Sequence, residues 1–169
     1  GANPFHSRNS EAWFAHASGV KVVCPAFPAD AKGLMTASIR DNNPVVFYEH
    51  KGLYRKIKEE VPEGEYIIPL GKAKVVREGK NATIVAYGSA VHFALAAAEE
   101  LSKEGVSVEV VDIRTLVPFD QETVLASARK TNRVLIAHEA SLTAGFGGEI
   151  AARIAEHAFE YLDAPIMRV

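Results

Sequence analysis

The sequence predicts a parallel α/β protein built in two units. Two observations carry that reading. Helical and strand patterns alternate over the first fifty residues, and they alternate again after residue 81. Between them runs a charged, proline-containing stretch of the kind that links domains. The boundaries read as 1–50 for the first unit, 51–80 for linker and hairpin, and 81–169 for the second.

In the first unit, Ser10-Glu11-Ala12-Trp13-Phe14 begins a short helix with a serine or asparagine cap. Lys21 to Cys24 is a short β-rich run closed by Pro25. From Ala29 to Arg40, Ala31, Leu34, Met35, Ser38 and Ile39 recur at spacings of three and four, which places them on one helix face. Asp41-Asn42-Asn43-Pro44 is a turn, because proline disfavours a helical residue before it and asparagine tolerates turn geometry. Val45 to Tyr48 then reads as a fully buried strand. Lys56 to Gly64 is charged and proline-bearing, and is read as solvated surface.

Lys72–Val76 and Ala82–Tyr87, separated by Arg77-Glu78-Gly79-Lys80, predict a hairpin entering the second unit. Val91 to Lys103 is an alanine-rich helix stopped by Gly105, suited to a left-handed helix end. Val106 to Asp112 alternates apolar and polar residues and then turns buried. Asp120 can cap a helix from Gln121 to Arg129, Arg133–Ala137 is a strand, Gly148–Ala158 an amphipathic helix, and Ile166–Val169 a last strand. Strands linked in this way give a small three-layer α/β unit.

Composition excludes several functions. The chain has 169 residues, 48% hydrophobic and 24% charged, with a net charge of −2. That balance gives no electrostatic basis for binding nucleic acid, and the apolar stretches are too short to span a membrane. No secretory signal opens the sequence. Cys24 is the only cysteine, so no internal disulfide forms, and a cytosolic or matrix compartment fits. Its place at a strand end predicts a buried, inert thiol.

Candidate chemistry is sparse by motif alone. His6 lies in a loop ahead of a helix, where an imidazole titrating near neutrality can reach a ligand. No His, Cys or carboxylate spacing matches a zinc site. Asp41, Asn42 and Asn43 stand at a helix C-terminus, where exposed carbonyls suit a hard cation; the same residues also make a good turn. Thr143-Ala144-Gly145-Phe146-Gly147-Gly148 opens a helix, but lacks the dinucleotide spacing and the P-loop lysine, so close packing explains its glycines better. Glu139, after His138, is either a functional carboxylate or a structural acceptor.

Taken together, these segments resemble a known family. His6-Ser7 followed by Glu11-Ala12-Trp13-Phe14-Ala15-His16 is similar to the HSQ…EAW segment of the beta subunits of thiamine-diphosphate-dependent 2-oxo acid dehydrogenases. Asp30-Ala31-Lys32-Gly33-Leu34, Ile39-Arg40-Asp41-Asn42-Asn43-Pro44, Ile68-Pro69-Leu70-Gly71, Asp112-Ile113-Arg114-Thr115-Leu116, His138-Glu139-Ala140 and Gly145-Phe146-Gly147-Gly148-Glu149-Ile150 follow in the family's order across essentially the whole chain.

The resemblance implies the second half of a transketolase-type pyrimidine-binding domain, followed by a transketolase-type C-terminal domain incomplete at its end. It implies a heterotetramer with an alpha subunit, thiamine diphosphate held between subunits with magnesium, and delivery of an acyl group to a lipoyl-bearing acyltransferase core. By position, His6 is the family's catalytic, cofactor-side histidine, implicated in proton transfer during reductive acylation. A potassium site would use Ser38, Ile39, Asp41 and Asn43, largely through carbonyls. Arg8 stands where the family usually has glutamine, which bears on hydrogen bonding beside the site.

The family's activating glutamate belongs to a segment upstream of this sequence, so the chain is expected to be a fragment inactive alone. The expected compartment is bacterial cytoplasm or, in a eukaryote, the mitochondrial matrix. Two other readings stay open. One is a fragment of a transketolase or deoxyxylulose-phosphate synthase. The other is a non-catalytic module docking on an acyltransferase core.

Overall fold

The computed structural model describes residues 8–169. Two sheets organise them. The first has three strands in the order β2 (Val45–Phe47), β1 (Lys21–Val23), β6 (Thr115–Val117). The second has five, in the order β3 (Lys74–Arg77), β5 (Val108–Asp112), β4 (Ala82–Ala86), β7 (Val134–Ala137), β8 (Met167–Arg168). β4, β5, β7 and β8 run parallel, and β3 is an antiparallel edge. The helices are α1 (Glu11–Ala15), α2 (Pro28–Ile39), α3 (Ala90–Lys103), α4 (Gln121–Thr131) and α5 (Phe146–Ala158).

The second unit has the three layers its pattern predicts. Successive residues of a strand face opposite sides, so β4 sends Ile84 and Ala86 to one face and Val85 to the other. Ile84 and Ala86 pack with Ala90, Val91, Ala94 and Ala98 of α3. Val85, Val111 and Ile136 pack on the opposite face with α4 and α5, through Val124, Ala128, Ile150 and Ile154. Asp120 caps α4 by accepting from the Thr123 amide. Gly105, at φ +80°, reverses the chain after α3, a conformation that glycine adopts without steric cost.

Three expectations are corrected, and the burial of α2 is added to them. β3 and β4 do not form a hairpin, because β5 lies between them and pairs with both. β5 does not alternate: all five of its residues are buried, as befits a strand covered on both faces and both edges. β2 is only half-buried, since it is the edge of its sheet among the described residues. In α2, Leu34 is buried but Ile39 is 77% exposed, so the inward face ends before the last turn.

β6 was not foreseen as a strand. It follows β5 in the second unit, yet pairs antiparallel with β1 of the first. The linker is also more than solvated surface. Glu59 Oε1 accepts the Ala29 amide at 2.5 Å, satisfying a free N–H in the first turn of α2, which has no cap of its own. Lys32 Nζ donates to Pro62 O (2.6 Å), Tyr66 Oη donates to Ala29 O (2.6 Å), and the Ile68 amide donates to Gly33 O (3.1 Å). The linker is laid along α2.

Candidate functional site

β1, β2, β4 and β7 end around one cleft between the two sheets, and ligands of parallel α/β folds bind beyond such strand ends. The segment leaving β2 carries Tyr48, Glu49 and His50, the one leaving β4 carries Tyr87, Gly88 and Ser89, and the one leaving β7 carries His138 and Glu139. A cavity of about 80 Å³ opens here, and a wider one of about 310 Å³ lies alongside it, bordered by Arg8, Asn9, Ser10, Trp13, Thr143 and Gly145.

The cleft is bridged from both units. His50 Nε2 meets Glu139 Oε2 at 2.8 Å, joining the end of β2 to the end of β7. Tyr87 Oη donates to Glu11 Oε1 at 2.8 Å, joining β4 to α1. Ser10 Oγ and Tyr48 Oη are 2.9 Å apart. Burial, with the Glu11 carboxylate beside it, pushes the Tyr87 phenol well up, so it stays protonated and acts as a donor. The Tyr87 ring stacks on His138, with centroids 5.9 Å apart and planes 9° from parallel. Burial holds His138 below the usual histidine range, and the Glu11 charge opposes that shift. His138 is therefore neutral near pH 7.

Ser89 Oγ and His50 Nδ1, which border the cleft, are buried with no hydrogen-bond partner among the described residues, as are the two ring nitrogens of His138. Unsatisfied buried groups are uncommon, and here they fit contact with a polar ligand. A cavity of about 80 Å³ accommodates one group of a molecule the size of thiamine diphosphate, not the whole of it. The residues present fit one wall of such a site.

The sequence-predicted site residues fare unequally. His6 lies outside the described residues. Glu139, left open between two roles, contacts His50 Nε2 through its Oε2 at 2.8 Å. The glycines of the loop before α5 serve close packing: a Cβ on Gly145 would come within 2.9 Å of the His138 ring, and one on Gly147 would overlap the same ring. Cys24 is buried, and burial raises its pKa well above the ordinary thiol value, as an inert thiol requires.

At the end of α2, Ser38 Oγ donates back to Leu34 O (2.7 Å), and the Ile39 side chain is exposed. Asp41 forms an ion pair with Lys21, and its Oδ1 accepts the Asn43 amide (2.9 Å) and Nδ2 (3.0 Å). The Lys21 bond, then those from Asn43, lower its pKa to about 2. The Ser38 hydroxyl and the Asp41 carboxylate are engaged within the protein, whereas Asn43 is engaged through its Nδ2, so its Oδ1 and the main-chain oxygens stand as available cation ligands. Among the described residues no three His, Cys, Asp or Glu side chains gather as a metal cage. No described helix is long and apolar enough to cross a membrane.

Sequence reasoning missed Tyr87 and Ser89. Both follow a strand in a turn before a helix, and that position at the C-terminal end of a parallel strand was the available signal.

The paired sheets and the cleft at their strand ends define a two-domain α/β protein of transketolase type, and the chain belongs to that family. Residues 71–169 match the transketolase C-terminal domain, and residues 3–56 match the transketolase pyrimidine-binding domain. Within the family it is similar to beta subunits of 2-oxo acid dehydrogenases. It is 51% identical over 165 residues to the mitochondrial 2-oxoisovalerate dehydrogenase subunit beta 2 of Arabidopsis thaliana, covering 98% of this chain and 46% of that one. Identity is 50% over 165 residues to the 2-oxoisovalerate dehydrogenase subunit beta of Bacillus subtilis, covering 98% and 50%. It is 51% over 164 residues to the pyruvate dehydrogenase E1 component subunit beta of Staphylococcus epidermidis, covering 97% and 50%. The chain thus spans about half the length of the curated relatives it matches. A solved split-gene transketolase, an inactive beta4 tetramer, superposes with a TM-score of 0.79 at 31% identity, covering 94% of this chain and 50% of that one.

Proposed function

We propose that this chain is part of the beta subunit of a 2-oxo acid dehydrogenase, which decarboxylates a 2-oxo acid oxidatively and passes the acyl group to a lipoyl arm. The observation carrying this reading is the identity of about half, over nearly the whole chain, to beta subunits of that enzyme class. The lower identity to a split-gene transketolase favours the dehydrogenase over the transketolase alternative. The domains are assigned as 1–50, 51–80 and 81–169.

The partners in this reading are an alpha subunit and a lipoyl-bearing acyltransferase core. Magnesium accompanies the cofactor on the alpha-subunit side. A potassium ion at the end of α2 would be held by Ser38, Ile39, Asp41 and Asn43, with main-chain oxygens doing much of the work. The compartment is bacterial cytoplasm or mitochondrial matrix, in keeping with relatives from bacteria and relatives named mitochondrial.

Thiamine diphosphate, when bound, supplies the electron sink for decarboxylation. Among the described residues, Ser89 Oγ and His50 Nδ1 would touch it, and His6 is its neighbour by family position. His6 acts as the proton donor to the sulfur that leaves the lipoyl disulfide. A histidine titrating near neutrality suits that step, and general acid catalysis contributes about a hundred- to ten-thousand-fold.

The test uses the full-length beta chain assembled with an alpha subunit. His6→Ala should largely abolish reductive acylation of a lipoyl domain, while decarboxylation coupled to an artificial electron acceptor falls much less. Equal losses would make His6 a cofactor-positioning residue, and no loss in either assay would overturn its role.

A further inference from the structure

α1 has only five residues, and its N-terminal Ser10 makes no capping bond. A helix this short has no intrinsic stability in water, so tertiary ties must set its place. Its large apolar side chains supply few: Trp13 is 72% exposed and Phe14 41%. Phe14 meets Tyr48 only edge-on, at 6.3 Å between centroids, and Ala15 packs against the core as a single methyl. Glu11 is the one buried residue of the helix, and it is a carboxylate. Burying a charge costs several kcal/mol unless it is paired or well hydrogen-bonded, so its position depends on a partner. That partner is the Tyr87 phenol, 2.8 Å away, borne by the strand end of the other unit. The stack on His138 orients the Tyr87 ring, and His138 is in turn enclosed by Gly145 and Gly147.

We propose that Glu11 is a positioning residue, and that its hydrogen bond to Tyr87 fixes the segment carrying His6 against the second unit. This rests on the reading of His6 above. Five Cα–Cα steps lead from His6 to Glu11, a tether of at most about 18 Å, so whatever holds Glu11 limits where His6 can act. Ser10, tied to Tyr48, anchors the same segment to the first unit. The segment is pinned to both units within two consecutive residues.

The experiment is a double-mutant cycle in the full-length beta chain assembled with an alpha subunit, using Glu11→Ala, Tyr87→Phe and both together. Tyr87→Phe retains the ring on His138 and removes only the donor. Each single change should slow lipoyl-domain acylation about tenfold, and the pair should also lose about tenfold rather than a hundredfold, because both remove one bond. Glu11→Gln, which keeps an oxygen to accept from the phenol, should retain at least half of the rate. Hydrogen exchange of the amides of residues 8–16 should quicken in Glu11→Ala and Tyr87→Phe and stay near wild type in Glu11→Gln.

Additive losses, an unslowed rate in either single variant, or unchanged exchange overturns the proposal. If Tyr87→Phe does not assemble, the decision rests on Glu11→Gln: an exchange pattern as fast as that of Glu11→Ala then overturns it. If the wild-type assembly transfers no acyl group, the functional reading fails, while the exchange measurement still decides whether the bond holds the segment.

Discussion

Arg114 Nη1 lies 3.1 Å from Asp30 Oδ1, and this ion pair joins the second unit to the N-terminal turn of α2 in the first. Both side chains are almost fully buried, at 10% and 5% exposure. Arg114 also donates from Nε to Lys72 O (2.9 Å) and from Nη2 to Ala73 O (3.2 Å), so its guanidinium is satisfied on three sides. Removing Asp30 leaves the buried Arg114 charge with carbonyl partners only, and removing Arg114 leaves buried Asp30 with Lys74 Nζ at 4.0 Å. Arg114→Met or Asp30→Ala should each destabilise the protein by about 3–5 kcal/mol, measured by denaturant unfolding. The double variant should be less destabilised than the sum of the two.

Asp112 lies beside this pair, fully buried, with Oδ1 accepting the Arg114 amide (3.0 Å) and Oδ2 unpartnered. Burial pushes its pKa from 3.8 up to about 7, the Arg114 amide opposing the shift. Between those values the native state binds more protons than the unfolded chain. This group's contribution is therefore fully present below about 3.8 and is lost as pH rises through about 7. Asp112→Asn should flatten that slope, raising Tm at pH 8 relative to pH 5 when compared with wild type. Parallel Tm profiles for the two proteins would contradict the assignment.

Asp41 shows the opposite shift. Its pKa of about 2 means that its contribution is present above 3.8 and is lost as pH falls through about 2. Lys21→Met should raise that pKa toward 3.8, read by NMR titration of the carboxyl carbon. If a potassium ion sits at the end of α2, Asp41→Ala should lower Tm more in potassium than in choline buffer. Equal losses in both buffers would leave the residue as a turn former only.

Gly33 permits the linker to lie on α2. A Cβ at this position would come within 2.7 Å of both Ile68 and Tyr66. Gly33→Ala should therefore cost about 1–3 kcal/mol despite the better helix propensity of alanine. It should also speed proteolysis within residues 56–64, and an intact linker in limited digestion would contradict this.

The helices and central strands were legible because their patterns are local. The alanine-rich run of α3, the Asp120 cap and Gly105 each act within a few residues. What escaped were the long-range choices. Nothing local tells β3 to pair with β5 rather than β4, or places β6 beside β1. Glu109 reads as a solvent-facing residue of an alternating strand, yet it is 2% exposed and is satisfied by Ser127 Oγ (2.6 Å), the Gly79 amide (3.3 Å) and Lys130. The site was half legible. His138-Glu139 stood out at a strand end, but the pairs Glu11–Tyr87 and His50–Glu139 join residues far apart in sequence, and only the fold brings them together.

The placement of β6 governs how this chain can be made. On the ribosome, β1 and β2 are made before β3, β4, α3 and β5, and β6 is made only after all of these. The β1–β6 pairing therefore cannot form until β5 of the second unit has been synthesised, which runs against a strict domain-by-domain order. Cutting the chain in the linker would strand β6 on the wrong piece. The described part of the first sheet is consequently drawn from both units, and its assembly depends on both.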